Sequence, residues 1–189
     1  MIEVVMPALT EELSNVIQQA MTGDKTAFSK LVWRYKDHIV NTAFGIVGNS
    51  LDAEDIAQEA FLKAYLSINR LTSANAFYRW LVKITVNLSI DKKITNGLRR
   101  TQPLESALPL ASPAQSPELV AEQREQQRLV LAALEQLTLE QRTILVLREF
   151  QELPYEDIAH ILNIPLGTVK SRISAARSRL REILAPERL

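Results

Sequence analysis

Residues 154–184 read PYEDIAHILNIPLGTVKSRISAARSRLREIL. Tyr155, Ile158, Ala159 and Leu162 recur at helical spacing and predict a short helix with one buried face. Asn163 follows, a residue that tolerates the left-handed conformation at a helix end. Pro165, Gly167 and Thr168 then interrupt and restart the chain, with Pro165 suited to a first helical turn. In the second helix Val169, Ile173, Ala176, Leu180 and Leu184 step by four, three, four and four, which is again one apolar stripe. Lys170, Ser171, Arg172, Arg177, Arg179 and Arg181 lie off that stripe. The pattern predicts a helix-turn-helix whose second helix keeps one side free. That side is small and polar at its start and cationic further on, the profile of a helix that enters a DNA major groove.

The cationic character is local. Residues 165–182 carry five bases and one acid, whereas residues 135–157 carry six acids and two bases. The whole chain has 189 residues and a formal net charge of zero, so any nucleic-acid binding acts through patches and not through overall charge. Apolar content of 47% suffices for real cores. Cysteine is absent, which removes disulfides and thiol chemistry and fits a reducing compartment. The start, MIEVVMPALTEEL, lacks a basic n-region and is interrupted by Pro7, a poor secretory signal. No uncharged apolar run approaches the ~18 residues of a membrane span. Five glycines and long 3.6-period patterns point to an all-helical chain.

Earlier in the chain, Glu11 to Met21 suggests a short helix. Phe28, Leu31, Val32, Tyr35, Ile39, Ala43 and Val47 form the stripe of a longer one, ended by Gly48, Asn49 and Ser50. Asp52 to Ile68 follows as a helix with Asp52 as its expected N-cap. Its Ile56, Ala57, Ala60, Phe61, Ala64 and Tyr65 face the core. Asp55, Gln58, Glu59 and Leu62 fall on the other side. Pattern alone favours a solvated acidic face there; an exposed Leu62 among polar groups points instead to docking of a basic partner.

Ala76 to Lys93 is apolar along Phe77, Trp80, Leu81, Ile84 and Leu88, with Arg79, Lys83 and Asn87 as a second row. From Arg70 to Arg100 there are seven bases and one acid, with Tyr78 and Trp80 interleaved. Bases mixed with aromatics suit a nucleic-acid strand whose bases leave the stack, although each aromatic taken singly is more often core. The polar loop Asn69 to Asn75 precedes this helix. The stretch 95–117 is Pro-rich and marks a linker. Ser116–Pro117 opens a helix expected over Glu118 to Leu137, and Thr138 to Gln141 form a capping box for a helix through Phe150. The expected architecture is therefore all-α: two small helical domains over 1–94 and 118–189, joined by the 95–117 linker, the second ending in the helix-turn-helix.

Catalytic constellations are missing from this sequence. His38 and His160 sit in no ligand or triad pattern, and there is no Walker loop, Gly-rich dinucleotide turn or Cys/His metal spacing. No enzyme activity, small-molecule substrate, cofactor or metal is expected.

The acidic helix DAEDIAQEAFLKAY, the aromatic-basic helix AFYRWLVKITVN and YEDIAHILNIPLGTVKSRISAARSRL, in this order and split by a Pro-rich linker, resemble bacterial RNA polymerase sigma factors of the extracytoplasmic-function (ECF) group. The resemblance runs from about Gly23 to Leu184. It implies a cytoplasmic transcription initiation factor that binds core RNA polymerase and promoter DNA. Asp55, Gln58, Glu59 and Leu62 match the polymerase-docking positions. Asn69, Ser73, Asn75, Arg79, Trp80, Lys83 and Asn87 match positions that read and melt the downstream promoter element. Thr168, Lys170, Ser171, Arg172, Ala175 and Arg177 match positions that read the upstream element. Many relatives carry a bulky or basic pair where Ser174 and Ala175 stand, which implies fewer phosphate contacts here. An anti-sigma protein, often membrane-anchored, is a further partner the resemblance implies. The rival reading is a stand-alone helix-turn-helix regulator with residues 1–100 as a sensor or dimerisation module.

Overall fold

The computed structural model describes residues 10–98 and 129–185. The described residues are helices and turns, without a strand among them. Four helices make the first unit: α1 (Glu11–Met21), α2 (Lys25–Val47), α3 (Ser50–Ser67) and α4 (Phe77–Leu98). The second contains α5 (residues 129–135), α6 (Leu139–Leu145), α7 (Tyr155–Leu162) and α8 (Leu166–Leu184). Most of the 95–117 linker, and the first part of the helix expected from Glu118, lie outside the described residues.

Local chemistry sets the helix ends. The Asp24 carboxylate accepts from the backbone N–H groups of Thr26 and Ala27 at 2.8 and 3.1 Å and starts α2. Gly48 ends it with φ +79°, a conformation that glycine adopts without a Cβ penalty. Asn49, not Asp52, caps α3: its side chain accepts from the Asp52 N–H at 2.9 Å. Asp52 instead sits in the first turn and pairs with Lys92 at 3.0 Å. That pair, with Asn96 donating to the same carboxylate, ties down the end of α4, which runs to Leu98, past the Lys93 at which the periodicity ends. The expected capping box of Thr138 and Gln141 is present with both hydrogen bonds.

α2, α3 and α4 pack on one another, with α1 against α2. Tyr35, Leu31, Ile39, Phe77 and Leu81 are fully buried between them. Tyr35 stacks on Tyr78 at 5.3 Å and lies 5.7 Å from Phe77, an aromatic cluster worth more than its area alone. Tyr65, expected in the core, lies at its margin, 39% exposed, edge-on to Phe28.

In the second unit α6 continues as a π-turn over Val146–Phe150, and Glu152 takes φ +50° before α7 begins. Asn163 ends α7 with φ +53°, as its identity suggests. Pro165 serves as the N-cap of α8 instead of its first helical residue. Val169, Ile173 and Ala176 of the predicted stripe are buried; Leu180 is half-buried and Leu184 exposed.

The two units do not stand apart. α7 packs on α4, and α6 with its π-turn packs on α2. Their apolar residues, Leu81 and Val86 among them on one side and Val146 and Ile158 on the other, belong to one continuous core.

Candidate polymerase and nucleic-acid interfaces

Three surfaces carry the residues singled out in the sequence. The first is the outer face of α3. Ala53, Ile56, Ala57, Ala60, Phe61 and Ala64 bury the inner face, so the helical period turns Asp55, Gln58, Glu59 and Leu62 outward. All four are exposed, Leu62 to 58% and the neighbouring Leu66 to 71%. Glu59 pairs with Lys63 at 2.9 Å on the same helix, an exposed pair that contributes little to stability. An acidic rim around exposed leucines is complementary in charge and polarity to a basic, partly apolar surface.

The second surface joins the 69–75 loop to α4. Two short 3₁₀ turns, Ile68–Arg70 and Ala74–Ala76, shape that loop. Ile68 and Ala74 are buried as its anchors, and the Ser73 hydroxyl accepts from the Asn75 N–H at 3.3 Å. Asn69, Ser73 and Asn75 are exposed. Along α4, Arg79, Lys83 and Asn87 are exposed and Trp80 is half-buried beside Phe77. Tyr78, interleaved with these bases in the sequence, is buried instead, and desolvation raises its phenol pKa. It stays neutral and donates its O–H to Gln151 Oε1.

The third surface is α8. Lys170, Ser171 and Ala175 are exposed; Thr168, Arg172 and Arg177 are half-buried. Arg172 lies 3.3 Å from Glu140. Arg177 donates from Nε and Nη2 to Glu149 Oε1 at 2.9 and 2.6 Å, and that hydrogen bond raises its pKa. Ser174 is exposed next to Ala175, so the middle of the helix presents small side chains and its ends present cations.

The structure also assembles a group of residues that periodicity did not reveal. Arg142, 2% exposed, donates from Nε to the Gly45 carbonyl at 2.7 Å. Lys93 donates to the Val47 carbonyl at 2.8 Å. Two cations therefore meet the C-terminal end of α2, where the helix dipole favours positive charge. Burial lowers the pKa of both. Across the neighbouring seam, Arg79 pairs with Asp157 at 2.7 Å and Lys83 donates to the His160 carbonyl at 3.2 Å. Two features of the sequence could have flagged the Gly45–Arg142 contact: a glycine within AFGIV, where a missing side chain permits close approach, and Arg142 beside the apolar TILVL.

No group of acids or histidines able to hold a metal ion occurs among the described residues, and none of their helices is long and apolar enough to cross a membrane.

The family model for Sigma-70 region 2 matches residues 31–101, and that for Sigma-70, region 4 matches residues 127–180. The first match spans most of α2, all of α3, the 69–75 loop and α4, and the second spans α6, α7 and most of α8. The chain is 34% identical over 187 residues to the RNA polymerase sigma-H factor of Pseudomonas aeruginosa, covering 93% of this chain and 95% of that one. It is 35% identical over 176 residues to the ECF RNA polymerase sigma factor SigW of Bacillus subtilis, covering 89% and 94%. Its fold is similar to that of the sigma factor RpoE from Bartonella quintana, solved in complex with the anti-sigma factor NepR. The TM-score is 0.68 at 25% identity, covering 85% of this chain and 98% of that one.

Proposed function

The chain belongs to the sigma-70 family of RNA polymerase sigma factors, within the ECF group, and from that premise we propose how its surfaces divide the work. The α3 face of Asp55, Gln58, Glu59 and Leu62 docks on core RNA polymerase. The Asn69–Asn75 loop and the Arg79, Trp80, Lys83 and Asn87 row of α4 take the downstream promoter element as it melts. Thr168, Lys170, Ser171, Arg172, Ala175 and Arg177 on α8 read the upstream element as duplex.

The observation that carries this division is the contrast between the two α3 faces, one fully buried and one wholly exposed with acids set around leucine. A solvated helix has no need of Leu62 and Leu66 on its outer face. For melting, an extruded base costs a few kcal/mol, which stacking and phosphate contacts offset. Half-buried Trp80 offers a stacking edge, and Arg79 and Lys83 offer the charge. On α8, Lys170 supplies an extended donor to base edges or phosphates, and the small Ser171, Ser174 and Ala175 let the helix approach the groove floor. The factor acts as a polymerase subunit in the cytoplasm, without catalysis or cofactor of its own. The domain bounds 1–94 and 118–189 follow the same division of labour.

An anti-sigma protein is a proposed further partner, supported by the fold shared with a sigma factor solved in such a complex. It would cover the α3 face or α8; equal binding of a candidate to free factor and to holoenzyme would count against it.

Binding of core polymerase to fluorescently labelled chain tests the docking assignment. Asp55→Ala/Glu59→Ala is expected to weaken binding at least tenfold, about 1.4 kcal/mol, with unchanged circular dichroism. Unaltered affinity would remove α3 as the docking element.

A further inference from the structure

Trp33 is the most exposed large apolar side chain among the described residues, at 77%. α2 buries Phe28, Leu31, Tyr35 and Ile39 on its inner face, and the helical period sets Trp33 on the opposite side. Lys30 and Lys36, three residues before and three after it, share that side and are exposed. The Lys36 ammonium lies 5.3 Å from the centre of the indole ring, a cation–π contact on one face that leaves the other to solvent. Residues 25–36 carry four bases, Lys25, Lys30, Arg34 and Lys36, and no acid. All four are exposed, and none pairs with a carboxylate among the described residues. Asp37 bounds the face on its C-terminal side.

The make-up of this face points to its occupant. The outer face of α3 sets leucines among acids, whereas that of α2 sets one aromatic ring among bases. Thr26 and Ser29 complete it, and no exposed aliphatic side chain stands beside Trp33 to fill an apolar protein groove. A flat ring rimmed by cations fits a nucleobase with a phosphate on either side. The face also continues toward the α4 row. Burial raises the pKa of Tyr35 and lowers that of His38, and the Arg34 cation lowers both, so Arg34 lies on the flank of α2 that these two residues share. Both pack on Tyr78, the residue before Arg79.

We propose that the outer face of α2 is a second platform for single-stranded DNA, on which Trp33 stacks a base and Lys30, Arg34 and Lys36 hold the flanking phosphates, so that an unpaired strand runs from the α4 row across Arg34 to Trp33. The path rests on the functional division given above, whereas the stacking position rests on α2 alone. Every base has a π-face, so this position selects an unpaired strand and not a sequence. In a duplex the base faces are covered by their neighbours, and the platform is left with phosphate contacts only. The face therefore binds the melted strand in preference to the paired one.

The chain has two tryptophans, so Trp80→Phe leaves Trp33 as the sole indole reporter. Titration of this full-length variant with oligothymidine is expected to quench its fluorescence, whereas a blunt duplex of equal length and polyglutamate are not. In the otherwise unaltered chain, Trp33→Ala should bind labelled oligothymidine about tenfold more weakly by anisotropy, with Trp33→Phe retaining most of the affinity. Lys30→Ala/Lys36→Ala should flatten the log–log salt slope by about 1.4, the loss of two phosphate contacts. Circular dichroism checks that these exposed substitutions leave the helices intact. An indole that oligothymidine does not quench, or a Trp33→Ala chain that binds like the parent, overturns the platform. Equal quenching by duplex does so too, and quenching by polyglutamate alone would make the face a site for an acidic protein. Arg79→Ala/Lys83→Ala in the same assay separates this proposal from the functional division. Loss of binding with Trp33→Ala but not with that variant keeps the platform and removes the α4 assignment; the reverse result keeps α4 and removes the platform.

Discussion

Gly45 and Val146 offer a direct test of the seam through stability. A Cβ added at Gly45 would lie 2.8 Å from Val146 Cγ2 and 3.2 Å from Cγ1, inside van der Waals contact. Both atoms belong to the fully buried Val146, so little can yield. Overpacking of this kind costs about 1–3 kcal/mol. Alanine also gains about 0.5–1 kcal/mol over glycine within a helix, so Gly45→Ala should destabilise by a net ~1 kcal/mol. Val146→Ala removes the two clashing methyl groups and costs about 2 kcal/mol in transfer and cavity terms. In that background the sign reverses. The Gly45→Ala methyl then meets Val146 Cβ at 3.6 Å, ordinary contact, and fills part of the cavity. Gly45→Ala should therefore stabilise Val146→Ala, giving a coupling of about 1–3 kcal/mol. Urea unfolding midpoints of the four proteins measure it. Additive effects, with Gly45→Ala equally harmful or equally silent in both backgrounds, would show that α2 and the π-turn do not touch in solution and would refute the reasoning.

Other outcomes follow from single sites. Leu81→Ala, at a fully buried position, should cost about 2–5 kcal/mol in urea unfolding, whereas Arg79→Ala, which breaks one partly exposed ion pair, should cost no more than about 1 kcal/mol. Thr138→Ala removes one half of the capping box of α6 and should lower stability by about 1 kcal/mol, with Thr138→Ser retaining it. Burial lowers the pKa of His38, Asp37 opposes that shift, and the ring's Nδ1 has no hydrogen-bond partner. The unfolded chain thus takes up this proton first, near pH 6.5. Stability from this group is complete above that value and is lost as pH falls through the lower folded-state pKa, a slope that His38→Phe should flatten in pH-dependent thermal melts.

The helices were legible in the sequence because each buries one face, and a 3.6-residue period records which. Val169, Ile173 and Ala176 on α8, and Ile56, Ala60 and Ala64 on α3, lie where their spacing places them. The exposed rows of α3 and α4 follow from the same period, as the complement of the buried stripe. Ends were harder. Asn49 displaced Asp52 as the α3 cap because Gly48 lets α2 stop and the next helix start within two residues. Least legible was the seam. Its partners are separated by 73 to 97 residues in sequence, and no local pattern pairs Tyr78 with Gln151 or Gly45 with Arg142. Tyr78 is the clearest case: its neighbours Arg79 and Trp80 suggested a nucleic-acid surface, yet helical rotation points it inward onto Tyr35. A glycine inside an apolar helix and an arginine inside an apolar run were the two local marks of the contact.

The central claim is that one chain directs polymerase to promoters through a docking face on α3 and a reading face on α8. Transcription by purified core polymerase over a promoter library, with and without this chain, tests it most directly, using Asp55→Ala/Glu59→Ala and Lys170→Ala/Arg172→Ala for comparison. Start-site-specific transcripts that depend on the chain and fall with both double substitutions are the predicted result. A polymerase that gains nothing on any promoter, while the chain alone shifts duplex DNA, would contradict it and point to a stand-alone regulator.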